Sequence, residues 1–341
     1  MPMRPATEED EVGARTSTVG IALVFALGAV TAPAAAQAPQ GDGSRTAWGA
    51  PDLNGVWDFR TLTPFERPRE LGEQAFFTEE EAAAFEAARF AEFEVRDDQE
   101  PADGVGNYNQ FWFETGDGVA ETNQTSLVVD PPDGRVPPLN TGAAARRQAL
   151  VESRAGIDRH APTPGGWVDT LGDGMFAVRC ILGFNSGPPM NPAGYNQNVQ
   201  IAQTEDYVLL LNEMVHSSRI IPLDGRPHLA DGVRQWMGDS RGRWEGDTLV
   251  VETTNFLRET SFRAGVTTRD LHLVERFTRA SEGLLLYEVT VTDPGAWDRP
   301  WTYRLPMQKS EMPLFEYACH EGNYGLYNIL AGARLQEAEG R

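Results

Sequence analysis

Apolar and polar residues alternate with a period of two through most of this chain, in short runs closed by Gly, Pro, Asp or Asn. Val199–Ala202, Tyr207–Ile221, Thr248–Phe256, Leu271–Arg279, Leu284–Thr292, Trp301–Leu305 and Leu314–Cys319 all have this character and predict strands. Two further runs precede them. Asp52–Phe59 carries Gly55-Val-Trp57, and Thr125–Asp130 leads into the turn signal Pro131-Pro-Asp-Gly134. One segment departs from the pattern: Thr78–Phe93 is rich in Ala, Glu and Phe and predicts a helix at about 78–95. Thr78 and Glu81 have the spacing of a capping box, and Glu79, Glu80 and Glu81 suit the positive end of the helix dipole. A second, shorter helix is expected over residues 143–154. Many short strands without intervening helices argue against βαβ units. The expected fold is mainly β, an antiparallel barrel or sandwich with a helical N-terminal insertion, as a single domain over residues 51–335.

The N-terminal region follows other rules. Val19–Val30 is apolar but only about a dozen residues long, too short to cross a bilayer comfortably. The small residues of Thr31–Ala38 fit a signal-peptidase site after Ala36. Residues 1–36 therefore read as a signal peptide and residues 37–50 as a flexible lead-in, with an uncleaved anchor as the alternative. Four acids, Glu8, Glu9, Asp10 and Glu11, make the leader unusual. Export predicts a periplasmic or secreted protein with no stable membrane span. The whole chain carries a formal net charge of −21, and removing residues 1–36 leaves 27 basic and 46 acidic residues. That field repels phosphate backbones, so nucleic acid is not an expected partner. Cys180 and Cys319 are the only cysteines, and in an exported chain they predict one disulfide.

Seven blocks of sequence resemble a family of exported, uncharacterised bacterial proteins: Pro51–Trp57, Tyr108–Phe113, Gly187–Met190, Gly194–Asn196, Leu211–Met214, Arg219–Leu229 and Tyr317-Ala-Cys-His-Glu-Gly-Asn-Tyr324. The resemblance covers nearly all of the chain after residue 50 and implies no particular reaction. It also implies an acidic residue after the position of His216, where Ser217 stands here. Separately, Gly55-Val-Trp57 is similar to the opening strand of lipocalin-like barrels, which implies a ligand-holding barrel.

The segment Arg234–Glu252 concentrates the candidate chemistry. Trp236 and Trp244 can stack on a ring, Arg241 can grip a carboxylate or diol, and Asp239 and Glu245 add acids. A tight turn at Gly238–Gly242 with surface ion pairs explains the same residues structurally. If Tyr207–Ile221 is one strand, Asn212, Met214 and His216 share a face opposite Glu213, Val215 and Arg219. His216 is then a candidate acid or base, and the Glu213–His216 spacing does not make a metal site. In Leu271–Arg279 the face of Leu271, Leu273, Phe277 and Arg279 includes Glu275. A desolvated carboxylate there suits a general acid, while a Glu–Arg pair with a neighbouring strand is the structural alternative. His320 and Glu321 lie beside Cys319, with Asn323 and Tyr324 following. Asn185, Tyr195, Asn196 and Asn198 supply groups that hydrogen-bond hydroxyls and equally form turns. His228, after Pro227, reads as a surface residue.

No nucleophile elbow, phosphate loop, dinucleotide fingerprint, Cys-x-x-Cys or His-Glu-x-x-His motif is present. No cofactor is expected and metal dependence is open. The leading expectation is an exported hydrolase, lyase or isomerase acting by acid–base chemistry on a polar ring-bearing small molecule, such as a sugar derivative or phenolic. Its catalytic candidates are His216, His320, Glu275, Glu321 and Arg241. Its substrate-binding candidates are Trp236, Asp239, Trp244, Arg219, Tyr195, Asn196, Asn323 and Tyr324. The rival expectation is a non-catalytic periplasmic small-molecule-binding barrel. Convergence of His216, His320, Glu275 and Arg241 on one pocket separates the two.

Overall fold

A computed structural model describes residues 45–97, 113–153, 155, 175–257, 260, 262 and 266–340. The proposed signal peptide, most of the lead-in and nearly all of the Tyr108–Phe113 block lie outside these residues. Ten strands form one antiparallel sheet: β1 (Gly55–Asp58), β2 (Val128–Asp130), β3 (Asn198–Gln203), β4 (Tyr207–Asn212), β5 (Ser218–Pro222), β6 (Asp239–Glu245), β7 (Thr248–Thr254), β8 (His272–Arg279), β9 (Leu284–Thr292) and β10 (Trp301–Ser310). Their order is β5-β4-β3-β1-β10-β9-β8-β7-β6. The long β10 is shared on one side, pairing β2 at Thr302 and Tyr303 and β1 at Gln308–Ser310. One face of the sheet is dry. Inward residues of β8, β9 and β10 bury Phe277, Tyr287, Trp301 and Tyr303 completely, and Trp57 of β1 joins them. The buried indole N–H of Trp57 donates to the Leu53 carbonyl at 2.9 Å.

The expected barrel is corrected here: the sheet does not close. No backbone ladder joins the end strands β5 and β6. The sheet curls enough for their side chains to meet. Arg219 of β5 approaches Ser240 of β6, and Ile221 and Leu223 crowd Gly242. These contacts advance together along both strands, so β5 and β6 run side by side in the same direction. A Cβ added to Gly242 would come within 2.6 Å of Leu223 and 3.0 Å of Ile221, so the absence of a side chain permits the close approach.

Three sequence readings change in the structure. Tyr207–Ile221 is not one strand, because Glu213–Ser217 forms a tight turn in which Val215 and His216 adopt φ of 58° and 42°. The Asn212 N–H donates to the Ser217 carbonyl at 2.8 Å across that turn. Glu213–Ser217 contains no Gly or Pro, so turn composition did not reveal it. The tight turn read at Gly238–Gly242 is not there: Asp239–Glu245 is strand β6, and the turn follows at Gly246 and Asp247. Leu314–Cys319, expected as a strand, is not one.

Helix α1 (Glu79–Asp97) begins with the capping box in both directions. The Thr78 N–H donates to Glu81 at 2.8 Å, and the Glu81 N–H donates to the Thr78 hydroxyl at 3.2 Å. Its Ala82 and Phe93 are buried. Two further helices are α2 (Thr141–Ser153) and the short α3 (Met175–Val178), and α4 (Tyr324–Ala338) closes the chain. Cys180 and Cys319 form the predicted disulfide across 139 residues of sequence. Such a bond fits an oxidising compartment. Among the described residues no helix is long and apolar enough to cross a membrane.

Candidate functional site

Inside the curled sheet lies a charged network. Inward alternation on β8 places Glu275 between Leu273 and Phe277, with no exposed surface. Arg219 reaches across from β5 and donates from both terminal nitrogens, at 2.7 and 2.8 Å. The Tyr287 hydroxyl donates to Glu275 Oε1 at 2.7 Å and the Thr253 hydroxyl to Oε2 at 3.3 Å. A plug completes the arrangement. The Met190 N–H donates to the Tyr287 oxygen at 3.1 Å, and the Tyr303 hydroxyl donates to the Met190 carbonyl at 2.5 Å. Burial disfavours the Arg219 cation, but the charge and hydrogen bonds of Glu275 outweigh it, holding the guanidinium above its ordinary range. Burial, then the neighbouring Glu275 charge, pushes the Tyr287 hydroxyl well above its usual value. Glu275 is therefore sealed and saturated by its own protein. It has no face left for a substrate.

A second cluster sits on the outer face. β6 alternates, so Asp239 and Arg241 point away from Ser240 and Gly242. The register β6–β7–β8 sets Arg241 opposite Glu252 and Glu252 opposite Val274, whereas Glu275 aligns with Val251 and Gly242. Arg241 and Glu275 are thus on opposite faces of one sheet. Asp239 is buried and uses both oxygens. Oδ1 accepts from Arg241 at 2.6 Å; Oδ2 meets His228 Nδ1 at 3.0 Å and accepts from the Leu229 N–H at 2.9 Å. His228, read from sequence as a surface residue, is largely covered by this contact. A carboxylate that holds one imidazole nitrogen fixes the orientation of the other.

The third cluster is the rim where β5 and β6 begin. The disulfide ties the segment after α3 to the segment before α4. Around it, Phe176 meets Trp236 edge to face with ring centres 5.3 Å apart, and Asn323 donates to the Val178 carbonyl at 2.9 Å. His216 Nδ1 lies 3.2 Å from the Tyr317 carbonyl, and its ring centre is 6.0 Å from that of His320. On the near side, the amides of Asn196 and Asn198 donate to the two oxygens of Glu213, at 3.0 and 2.6 Å. Phe184, nearly half exposed, packs edge to face on Tyr195 at 5.4 Å. Met214 crowds Gly183 next to Phe184, which joins this group to the turn bearing His216.

The sequence candidates therefore divide. Tyr195, Asn196, His216, Trp236, His320 and the disulfide share the rim. Glu275 and Arg219 are interior. Asp239 and Arg241 pair on the outer face, and Trp244 packs against the core. Asn323 caps α4, its side chain accepting from the Leu326 N–H at 3.1 Å. Glu321 and Tyr324 are exposed beside it. Among the described residues no group of three His, Cys, Asp or Glu side chains is arranged to hold a metal. Sequence reasoning passed over Tyr287, His228 and Phe176. Alternation on β9 could have turned Tyr287 inward, but its meeting with Glu275 depends on cross-strand register. A polar cleft of about 180 Å³ also lies outside β1 and β10, where Arg60 and Asp58 already neutralise each other. No family model, no characterised protein and no solved structure matches the chain.

Proposed function

We propose that this is an exported protein that binds a polar, ring-bearing small molecule, such as a phenolic or sugar derivative, at the disulfide-tethered rim. The observation that carries the reading is the state of Glu275. Its oxygens are occupied by Arg219, Tyr287 and Thr253 in a sealed interior, so the acid expected to drive turnover is spent on structure. The rim instead carries the partly or largely exposed rings of Trp236, Tyr195 and Phe184 together with the exposed imidazoles of His216 and His320. Aromatic surfaces stack on rings while amides and imidazoles bond hydroxyls. In this reading α1 is an insertion between β1 and β2 of the open antiparallel sheet, and residues 1–36 direct export. Thermal unfolding against a panel of phenolics and glycosides tests the proposal. A binder should raise Tm in the wild type and lose that effect in Trp236→Ala. Chemical conversion of a bound compound at a catalytic rate would instead favour turnover.

Acid–base turnover is the second reading, and the Asp239–His228 contact favours it. A buried carboxylate holding Nδ1 leaves Nε2 poised as a base. His228→Ala would then abolish any conversion without altering the unfolding midpoint.

A further inference from the structure

We infer that the His216–His320 pair is a binding site for a divalent first-row transition metal ion, with copper held most tightly. This goes beyond small-molecule binding and stands whether or not an organic ligand occupies the rim. The two imidazole centres are 6.0 Å apart and tilted by 45°. An imidazole ring centre lies about 3 Å from a metal bound at a nitrogen–metal distance of about 2.0–2.1 Å, so one ion between two rings needs a separation near the one observed.

The ligand chemistry is prepared as well. His216 Nδ1 is directed at the Tyr317 carbonyl at 3.2 Å. A carbonyl only accepts, so that contact places the proton on Nδ1 and leaves the Nε2 lone pair free. Metal-binding histidines are oriented by such a bond to a carbonyl or carboxylate. Tyr317 is two residues from Cys319 and His320 is one, so the disulfide to Cys180 tethers the backbone that carries both the carbonyl and the second ring. His216 sits in a turn with φ of 42°, a left-handed conformation that non-glycine residues adopt uncommonly. Both rings are exposed, so an ion has direct access and keeps water on its remaining positions. Glu213 does not join them, because Asn196 and Asn198 hold both its oxygens. Two imidazoles without a carboxylate select copper, nickel or zinc over calcium or magnesium, and copper ranks highest in the Irving–Williams order.

The experiment is calorimetric titration of the chain lacking residues 1–36 with copper(II), zinc(II) and calcium(II), together with electron paramagnetic resonance of the copper complex. The wild type should bind one copper with nitrogen ligation, zinc more weakly, and calcium not at all. His216→Ala and His320→Ala should each weaken copper binding at least tenfold, and the double variant should lose that site. Copper held at the new N-terminus or another histidine would survive in the double variant and is subtracted with it. Near-ultraviolet circular dichroism checks that the variants remain folded; His216→Gln or His320→Gln, which keep a polar side chain of similar reach, replace the Ala variant at whichever position does not. Unchanged copper affinity in both folded single variants, or no stoichiometric uptake by the wild type, overturns the inference.

Discussion

At the scale of the residue, the decisive pair is Arg219 and Glu275. A carboxylate with no exposure is costly unless paired, and removing one partner of such a pair costs about 3–5 kcal/mol. Arg219→Met should lower urea-unfolding stability by about that amount. The double variant Arg219→Met/Glu275→Gln should recover most of the loss, because two neutral groups of similar shape leave no orphan charge. Tyr287 gives the pair a pH signature. Its hydroxyl is held above its usual range by burial and by Glu275. Above about pH 10 the unfolded chain therefore releases a proton that the folded chain keeps. Stability from this group is complete below that pH and falls as pH rises beyond it, by up to about 1.4 kcal/mol per unit. Tyr287→Phe should flatten this alkaline limb, measured as unfolding free energy between pH 9 and 11. From sequence, Glu275 was readable as an inward acid and a Glu–Arg pair was one of its two readings. That Arg219 is the partner was not readable, since 56 residues separate them and only the curl of the sheet brings β5 over β8.

At the scale of the element, local chemistry was the most legible. The α1 capping box stands as written, and Thr78→Ala should cost about 1 kcal/mol, read from the unfolding midpoint. Period two located most strands, since a strand with one dry face must alternate. It misjudged Tyr207–Ile221 because the five-residue turn Glu213–Ser217 contains no Gly or Pro to break the run. It missed the start of β6 because Asp239–Glu245 lies at a sheet edge, where its outward residues are charged and Ser240 and Gly242 leave Trp244 as the only large apolar residue of its inward face. The seam formed by Gly242 belongs to this scale. Gly242→Val should wedge Leu223 and Ile221 away, at about 1–3 kcal/mol for an overpacked contact. Amide exchange should quicken in β5 and β6 while β8 and β9 stay protected.

At the scale of the whole molecule, the rim depends on a cross-link over 139 residues of chain. Cys180→Ser/Cys319→Ser should lower stability by about 5 kcal/mol on the chain-entropy account, measured by denaturant unfolding under non-reducing conditions. The sequence by itself determined the mainly β character, the capped helix, the disulfide and the acidic net charge. Each follows from period, short-range spacing or composition, which are properties of neighbours along the chain. Only the tertiary structure decided which polar groups stay available. The curl that brings β5 over β8 drew Glu275 into a saturated interior with Arg219, and the approach of the segment after β10 to the turn before β5 left His216 beside His320. Register and curvature set those distances through contacts between remote segments, and no local pattern encodes them.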